Sequence, residues 1–441
     1  MAWTTLSMQV TTPLFNGGHQ APLTDHEAKQ LDANRKSRPH SAATDADAGV
    51  RVSSLRGAMR YWLRAMAGAT VGDRIDVLAA LESRVFGNTS QASSVALRIP
   101  APQQCVRNPQ PDWCRRDDAR WIGYLAGQGL SKPADGNRRC ELTRSFVTPG
   151  TPFDLQLRFG PNKDAAALAV ATLWSLCRYG GLGARTRRGF GGLRIVAAEG
   201  DLPAPWTPEM LHAAAVLPSS GLGLDERGLP PELTACAESL ERIAALARHD
   251  VDAPAASPEV WRSPPTYPVF GGPQVFVTGL SARTFPDWPT VLGYAGEQFR
   301  WFRATEPALG APYDPPIKTR EWLHAVNGHD RRFALGALGL PINFKEGKTV
   351  HPVQLAAAGG TPTTLRRASP LWLRPVQDSD ARWRLLSFAF LGRFLPDETK
   401  VVLRGQRNRE FTVNTADVAR LSTDWITTLS ENGTFVRSTT S

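Results

Sequence analysis

Hydrophobic and polar residues alternate in four short stretches of the first two hundred residues, and this period of two predicts β-strands. The predicted strands cover residues 6–15, 94–100, 153–159 and 193–197. A helical spacing of apolar residues predicts helices over residues 55–67 and 164–179, with a further helical piece at 77–86. The element order is β-α-β-β-α-β, which predicts a ferredoxin-like, RRM-like domain over residues 1–200.

The pattern changes beyond this domain and inside one of its connections. Residues 101–140 are rich in proline, arginine, asparagine and aspartate, and we interpret them as an insertion between two strands. Residues 201–265 are rich in proline and glycine and predict a linker with one helix, at 231–248. Residues 266–441 predict a second α+β domain, with strands at 275–280, 383–390 and 400–404 and a helix near 290–305 that carries Arg300 and Arg303.

A glycine-rich basic loop follows the 164–179 helix. In residues 180–193 six glycines interleave with Arg185, Arg187 and Arg188 around one aromatic residue, Phe190. Glycines allow close approach of the backbone, and guanidinium groups supply charge and forked donors, so the pattern predicts a phosphate-rich ligand. The loop matches neither the dinucleotide fingerprint nor the P-loop, and its helix-loop-strand order is the reverse of theirs.

A second basic feature lies on the 55–67 helix. Arg56, Arg60 and Arg64 are spaced four residues apart along one face, and Arg51 lies just before the helix. With no acidic residue among them, these arginines repel one another, and an external anion would relieve that repulsion. The alternative interpretation is a solvated surface face.

Charge and cysteine content narrow the classes of function. The chain has 441 residues and a formal charge of +10; residues 1–200 hold 26 Lys and Arg against 16 Asp and Glu, whereas residues 201–441 hold 25 of each kind. An acidic partner such as nucleic acid is therefore favoured for the first half. Five cysteines without C-x-x-C spacing argue against a disulfide framework and a structural zinc site, although Cys105, Cys114 and Cys140 share one region and leave a zinc site as an alternative. We find no signal peptide and no long apolar run, so we expect a soluble, cytoplasmic protein without a cofactor or a membrane partner.

Several segments together resemble a known family. The segments are Thr12-Pro-Leu-Phe-Asn-Gly-Gly, Leu55-Arg-Gly-Ala-Met-Arg-Tyr-Trp-Leu-Arg-Ala, the glycine-rich loop, Arg331-Arg-Phe-Ala-Leu-Gly and Arg367-Ala-Ser-Pro-Leu. They are similar to the RAMP proteins of CRISPR systems, in particular to the first Cmr subunit of type III-B effector complexes. The resemblance implies tandem ferredoxin-like domains and a non-catalytic subunit that assembles with other Cmr-type subunits. It also implies contacts with the CRISPR guide RNA towards its 3′ end and with paired target RNA.

This resemblance and the two basic features give one set of candidate RNA-binding residues. They are Arg51, Arg56, Arg60, Arg64, Gly181, Gly183, Arg185, Arg187, Arg188 and Phe190. The Phe190 ring either stacks on a base or packs inward to anchor the loop. We expect that alanine at all three loop arginines weakens RNA binding without unfolding the protein.

Two other classes of function stay open. A metal-independent RAMP endoribonuclease needs a proton acceptor and a proton donor, and His19 and His26, with His40 nearby, are the histidines available in the basic half. A loop-aspartate mechanism would use Asp25, Asp32, Asp45 or Asp47, among which the sequence favours none. A free-standing single-stranded RNA-binding protein would share the same electrostatics.

Overall fold

The fold is described from a computed structural model of the chain. The structure describes residues 2–16, 49–101, 103, 105–106, 108, 110–127, 129–134, 139–217, 222–225, 228–254, 264–303, 332–343, 349–354, 363–397, 399–403 and 409–435. The strands are β1 Thr4–Val10, β2 Val95–Arg98, β3 Ser131–Ala134, β4 Arg139–Leu142, β5 Pro152–Phe159, β6 Leu193–Glu199, β7 Val216–Leu217, β8 Phe276–Leu280, β9 Ile342–Asn343, β10 Thr349–Gln354, β11 Thr363–Thr364, β12 Leu371–Asp378, β13 Trp383–Phe390, β14 Thr399–Leu403 and β15 Glu410–Phe411. The helices are α1 Val52–Val71, α2 Ile75–Phe86, α3 Asp112–Arg115, α4 Ile122–Ala126, α5 Lys163–Arg178, α6 Pro208–Ala213, α7 Pro231–Thr234, α8 Ala237–Asp250, α9 Trp288–Phe302 and α10 Thr415–Ser430, with 3-10 turns at Asp117–Ala119 and Ala334–Leu338.

The four strands predicted in the first two hundred residues form one antiparallel sheet. Its spatial order is β2-β5-β1-β6, so the first and third strands of the β-α-β-β-α-β series are central. Leu6 of β1 lies opposite Leu155 of β5, and Met8 lies opposite Ile195 of β6. Because these four side chains are buried, the alternation of the strands directs one face of the sheet to the helices. The predicted element order of residues 1–200 is confirmed.

The helices that cover this sheet begin and end for local reasons. The α5 helix begins one residue earlier than its sequence predicts, because the Asn162 side chain caps it and accepts a hydrogen bond from the Ala165 amide at 2.9 Å. Asp164 lies in the first turn of α5 and pairs with Arg242 of α8. Gly180, just after α5, is needed for space, since a Cβ there would lie 2.5 Å from Nε1 of Trp62.

The insertion after β2 contains more regular structure than its composition suggests. It includes α3, a 3-10 turn, α4 and the β3–β4 hairpin, and α4 and the turn both pack against α9 of the second half. Two glycines of α9 make this contact possible, because a Cβ on Gly293 would lie 2.2 Å from the Asp118 carbonyl oxygen and one on Gly296 2.3 Å from that of Trp121. The insertion is therefore fixed on the second half.

The segment after β6 continues the first helical layer. The predicted single helix at 231–248 is two helices, α7 and α8, separated at residues 235–236. The longer helix, α8, packs against α2 and α5, while α6 packs against β6.

The second half contains two further sheets. One has the order β7-β12-β13-β8 and is contacted by α9 and α10; the other has the order β11-β10-β14-β15, with β9 beside β10. The series β8-α9-β12-β13-α10 repeats five elements of the β-α-β-β-α-β order, and β13 lies between β8 and β12. In the described residues no strand follows α10, so the second half is a mixed α/β unit with an incomplete series.

The halves share a core around one tryptophan. Trp62 of α1 is 1% exposed, and its ring centroid lies 5.6 Å from that of Trp372 in β12 and 5.8 Å from that of Phe270. Phe388 and Phe390 of β13 lie within 6.3 Å of the same ring. Helix α1 thus packs on its own sheet and on aromatic residues of the second half. Searching the described helices finds none with the length and apolar character needed to span a bilayer.

Candidate nucleic-acid interface

The glycine-rich loop, residues 180–192, connects α5 to β6 and lies against residues 11–16. The Ala184 amide donates to the Phe15 carbonyl at 2.8 Å, and the Gly191 amide donates to the Pro13 carbonyl at 2.9 Å. Gly191 has φ +70°, and a Cβ there would lie 1.9 Å from the Leu182 carbonyl oxygen. These glycines therefore serve close packing of the backbone, and several loop amides that the sequence suggests for a ligand are used within the protein.

The remaining loop candidates differ in exposure. Gly181 is buried, and a Cβ on it would lie 2.8 Å from the Phe190 carbonyl oxygen, whereas Gly183 is exposed with φ +88°. Phe190 is 0% exposed, and its ring meets the Phe15 ring edge-on at 5.6 Å. Of the two interpretations left open for Phe190, inward packing is the one that the structure has, and base stacking by this ring is excluded in this conformation.

The loop docks on the second half through two of its arginines. Nη1 of Arg187 donates to the Ser369 carbonyl at 2.8 Å, and Nη1 of Arg188 donates to the Leu371 carbonyl at 3.1 Å. The Leu373 amide returns a hydrogen bond to the Arg187 carbonyl at 3.1 Å. Replacing all three loop arginines by alanine would remove the two side-chain hydrogen bonds but not the backbone one, so we expect this variant to be less stable than the wild type as well as weaker in RNA binding.

Arg185 and Arg188 lie at different depths. Arg185 is exposed at the tip of the loop and adopts φ +62°, a left-handed conformation. The Arg188 guanidinium lies 4.4 Å above the Phe299 ring centroid. Burial, followed by the nearby charge of Arg303, lowers the pKa of Arg188 to about 9, so that it still carries a positive charge at neutral pH.

The arginine row of α1 is partly neutralised by the neighbouring helix. Glu82 of α2 accepts from Arg60 at 2.7 Å and from Arg64 at 2.8 Å. Arg60 also donates to the Phe86 and Gly87 carbonyls, at 3.1 Å and 2.7 Å. The repulsion expected from the sequence is therefore relieved inside the protein, because an acidic residue 18 or more positions away in the chain lies next to the row.

The other two members of the row differ from this pair. Arg51 is the N-cap residue of α1 and is half-buried. Nε of Arg56 is buried and has no hydrogen-bond partner within the described part of the chain. Arg56 therefore differs from Arg60, whose Nη1 and Nη2 both donate within the protein.

The helix and the loop approach each other beside Tyr61, although about 120 residues separate them in the chain. Burial raises the pKa of Tyr61, while the positive charges of Arg187, Arg367 and Arg64 act in the opposite direction. The Arg187 guanidinium lies 5.0 Å from the Trp372 ring centroid, and that ring lies 5.9 Å from the Tyr61 ring. We call Tyr61, Arg64, Arg187 and Arg367 the Tyr61 cluster. It joins one arginine of α1, one of the loop and one of the second half.

The Tyr61 cluster carries uncompensated positive charge. Arg367 donates to the Arg393 carbonyl at 2.8 Å, and Arg187 donates to a carbonyl as well. Among the described residues no carboxylate forms an ion pair with either guanidinium, whereas Arg64 has Glu82. Arg367 is not among the binding residues expected from the sequence; its position in the segment resembling the RAMP family was the available signal.

The structure bears on the metal-binding alternative but not on the catalytic one. His19, His26, His40, Asp25, Asp32, Asp45 and Asp47 lie outside the described residues. The sulfur atoms of Cys114 and Cys140 lie 3.1 Å apart, and both residues are buried. In the part of the chain that the structure describes, no group of three or more potential metal ligands is present, so this cysteine pair has no third ligand there.

Known proteins resemble this chain over part of its length. Residues 7–194 match the model of the RAMP superfamily. Over 153 residues the chain is 32% identical to CRISPR system Cmr subunit Cmr1-1 of Pyrococcus furiosus, a match that covers 35% of this chain and 42% of that protein. It is 28% identical over 151 residues to subunit Cmr1-2 of the same organism, covering 32% of this chain and 81% of that protein. The crystal structure of Cmr1 from Pyrococcus furiosus in its apo form aligns with 96% of this chain and 97% of its own, at 19% identity and a TM-score of 0.47. Residues 7–194 therefore resemble the RAMP superfamily, and the chain is similar to two proteins described as Cmr1 subunits.

Proposed function

We propose that this chain is a non-catalytic, RNA-binding subunit of a cytoplasmic type III-B CRISPR effector complex. In this role it contacts the guide RNA towards its 3′ end and the paired target RNA, and it assembles with other Cmr-type subunits. The superfamily match over residues 7–194 and the similarity to two proteins described as Cmr subunits support this role. The matched segments span less than half of the first relative and about four-fifths of the second.

We also propose that both halves derive from the ferredoxin-like fold. The first half has the complete β-α-β-β-α-β series, and the second has its first five elements in corresponding order. In the second half the edge of β12 away from β13 is occupied by β7, which comes from the segment joining the halves. The tandem arrangement would thus explain why the two sheets share aromatic residues around one helix.

The Tyr61 cluster is the observation that carries the proposed RNA contact. Arg187 and Arg367 have no carboxylate partner among the described residues, they lie near a tyrosine and a tryptophan, and they come from different halves of the chain. RNA has linked phosphates, which such guanidinium groups can bind through two parallel hydrogen bonds. It also has bases, which can stack on aromatic side chains. The contact would be independent of sequence, because phosphate contacts position a nucleic acid without reading its bases.

The test measures the salt dependence of binding to single-stranded RNA for the full chain. Each phosphate contact contributes about 0.7 to the slope of log K against log salt for single strands. We expect the double variant Arg187→Gln and Arg367→Gln to bind more weakly and to lose about 1.4 from that slope. A wild-type protein that binds no RNA, alone or assembled with the subunits encoded beside it, would refute the proposed function.

The lysine variants at the same positions are the matched control. Arg187→Lys with Arg367→Lys keeps both charges but loses the guanidinium hydrogen bonds to the Ser369 and Arg393 carbonyls, as the glutamine variant does. If charge neutralisation drives binding, the lysine variant keeps the wild-type slope. An equal loss of slope in both variants would mean that the arginines act only through the fold.

The same preparation separates the other two classes of function. RNA recovered intact in a multi-subunit assembly agrees with a non-catalytic subunit. Metal-independent cleavage that disappears in His19→Ala or His26→Ala would establish the endoribonuclease instead. A chain that binds RNA equally well without any partner subunit would be a free-standing binding protein.

A further inference from the structure

Three parts of the chain meet around Tyr124 of the insertion. The insertion helix α4 lies on α9, and the tip of the glycine-rich loop reaches the residue that follows α4. A Cβ on Gly127 would lie 2.5 Å from Nη2 of Arg185, so the Arg185 guanidinium rests directly on the insertion backbone. The insertion thus forms one wall of a surface whose other walls are the loop and α9.

Helix α9 adds two arginines to this surface. Nη1 of Arg303 lies 3.3 Å from the Tyr124 hydroxyl oxygen, and the Arg303 guanidinium lies 6.0 Å from the Phe299 ring centroid. Arg300 lies over the rings of Trp121 and Tyr124, at 5.1 Å and 5.6 Å. Arg188 of the loop lies on Phe299 as well. We call Tyr124, Arg185, Arg188, Arg300 and Arg303 the Tyr124 cluster.

Three arginines of this cluster lack a carboxylate partner in the part of the chain that the structure describes. Within the described ranges no carboxylate forms an ion pair with Arg185, Arg188 or Arg303; the acidic residue of α9, Glu297, lies 3.8 Å from Arg120 instead. Nε of Arg303 is buried and lacks a hydrogen-bond partner among these residues. A buried donor without an acceptor is costly, and an anion placed beside Arg303 would supply the acceptor.

We propose that the Tyr124 cluster is a second phosphate-binding site, at which Arg185 and Arg303 hold a phosphodiester of the RNA bound at the Tyr61 cluster. This inference rests on the proposed function. Arg185 and Arg187 are two residues apart on the same loop, so their backbones are separated by at most about 7 Å. One strand of linked phosphates would therefore run from one cluster to the other. The insertion contributes to RNA binding by placing Tyr124 and Gly127 beside the arginines, with Arg188 beneath them as a source of positive potential.

The experiment repeats the salt titration with the full chain and the double variant Arg185→Gln and Arg303→Gln. We expect the magnitude of the slope to fall by about 1.4, so that raising the salt from 50 to 200 mM weakens binding by the variant about sevenfold less than binding by the wild type. The variant Arg185→Lys with Arg303→Lys should keep the wild-type slope. Arg242→Gln with Arg382→Gln removes the same net charge from exposed positions on α8 and on the β12–β13 turn, and it should also leave the slope unchanged.

The outcomes separate this site from the proposed function itself. If the wild type binds RNA and the Tyr61 cluster variant loses slope while Arg185→Gln with Arg303→Gln does not, only the second site is refuted. Another outcome is that inorganic phosphate raises the melting temperature of the wild type but not of this variant, while the variant keeps the wild-type slope for RNA. In that case the cluster binds a free anion rather than RNA, and the proposal is overturned. If the wild type binds no RNA, the proposed function fails first.

Discussion

Replacing Arg374 by methionine tests whether one buried guanidinium joins the two halves. Arg374 lies in β12, and its Nη2 donates to the carbonyls of Cys177 at 2.5 Å and Leu193 at 3.0 Å. Its Nε donates to the carbonyl of Arg178 at 3.2 Å. Two of these acceptors are at the end of α5, where carbonyls have no partner within the helix, and the third is at the start of β6. Methionine fills a similar volume but leaves all three carbonyls without this donor.

The magnitude is the balance of two opposing contributions. Hydrogen bonds from a charged donor contribute about 1.5–3 kcal/mol each, so three of them contribute about 5–9 kcal/mol. Against this, Arg374 is only 4% exposed, and burial lowers the pKa of its guanidinium to about 10, which leaves a charged group with a desolvation cost of several kcal/mol. We expect the free energy of unfolding to fall by about 2–4 kcal/mol, since the variant removes both contributions.

The assay is urea denaturation of the full chain, in which unfolding is monitored by tryptophan fluorescence. The matched control is Arg384→Met in β13, because Arg384 is half-buried and donates twice to one carbonyl, that of Ser281, at 2.8 Å and 2.5 Å. That contact lies within the second half, and we expect Arg384→Met to lower the free energy of unfolding by about 1 kcal/mol. An Arg374→Met protein that is as stable as the wild type, or no less stable than the control, would show that the buried guanidinium does not hold the halves together.

Three further changes test other parts of the structure. Trp62→Ala should lower the free energy of unfolding by about 3–5 kcal/mol in the same denaturation assay, because the ring is fully buried between the halves; a loss below about 1 kcal/mol would contradict the shared core. Gly191→Ala should destabilise the protein by more than about 1 kcal/mol, since φ is +70° and the new Cβ would meet a carbonyl oxygen, whereas Gly57→Ala, with open space in α1, should stabilise it by about 0.5–1 kcal/mol. Equal effects of the two alanines would refute that reasoning. The hydrogen bond from Arg116 lowers the pKa of Asp118 below 3.8, so this contact stabilises the fold above the unfolded pKa and is lost as pH falls through the folded one. The melting temperature, measured from about pH 5 to about pH 3, should therefore fall more steeply for the wild type than for Asp118→Asn, and parallel curves would show that the Asp118 contact is not linked to stability.

Periodicity was sufficient to predict the first sheet and its helices. Apolar residues that alternate, or that recur at helical spacing, indicate which face of a strand or helix is buried. This spacing is a local property of the chain. The helix break at residues 235–236 and the cap at Asn162 were missed, because both depend on a few local contacts. The folded content of the insertion was missed for another reason: its helices are short and become stable by packing on α9.

The roles of individual arginines were much less predictable. The sequence indicates where positive charge is concentrated, but it does not indicate which acceptor each side chain reaches in the fold. Glu82 belongs to a different helix from the arginines it neutralises, and the acceptors of Arg187 lie about 180 residues further along the chain. One signal was available for Arg374: it is a lone arginine in the otherwise apolar run of β12, where a charge needs buried partners.

These arginines therefore fall into two groups, those buried between the halves and those proposed to bind RNA. The position of the second group depends on the contacts that the first group makes. Arg374 and Arg188 lie inside, where they bind carbonyls and fix the glycine-rich loop on β12. Arg185 and Arg187 belong to the same loop, so their positions depend on that docking. In the proposed mode of binding, the phosphates of the RNA meet guanidinium groups from the loop, from α1 and from the second half together. Each half alone would present fewer charges in a looser geometry, and a structural substitution at the contact between the halves would weaken binding without removing any phosphate contact directly.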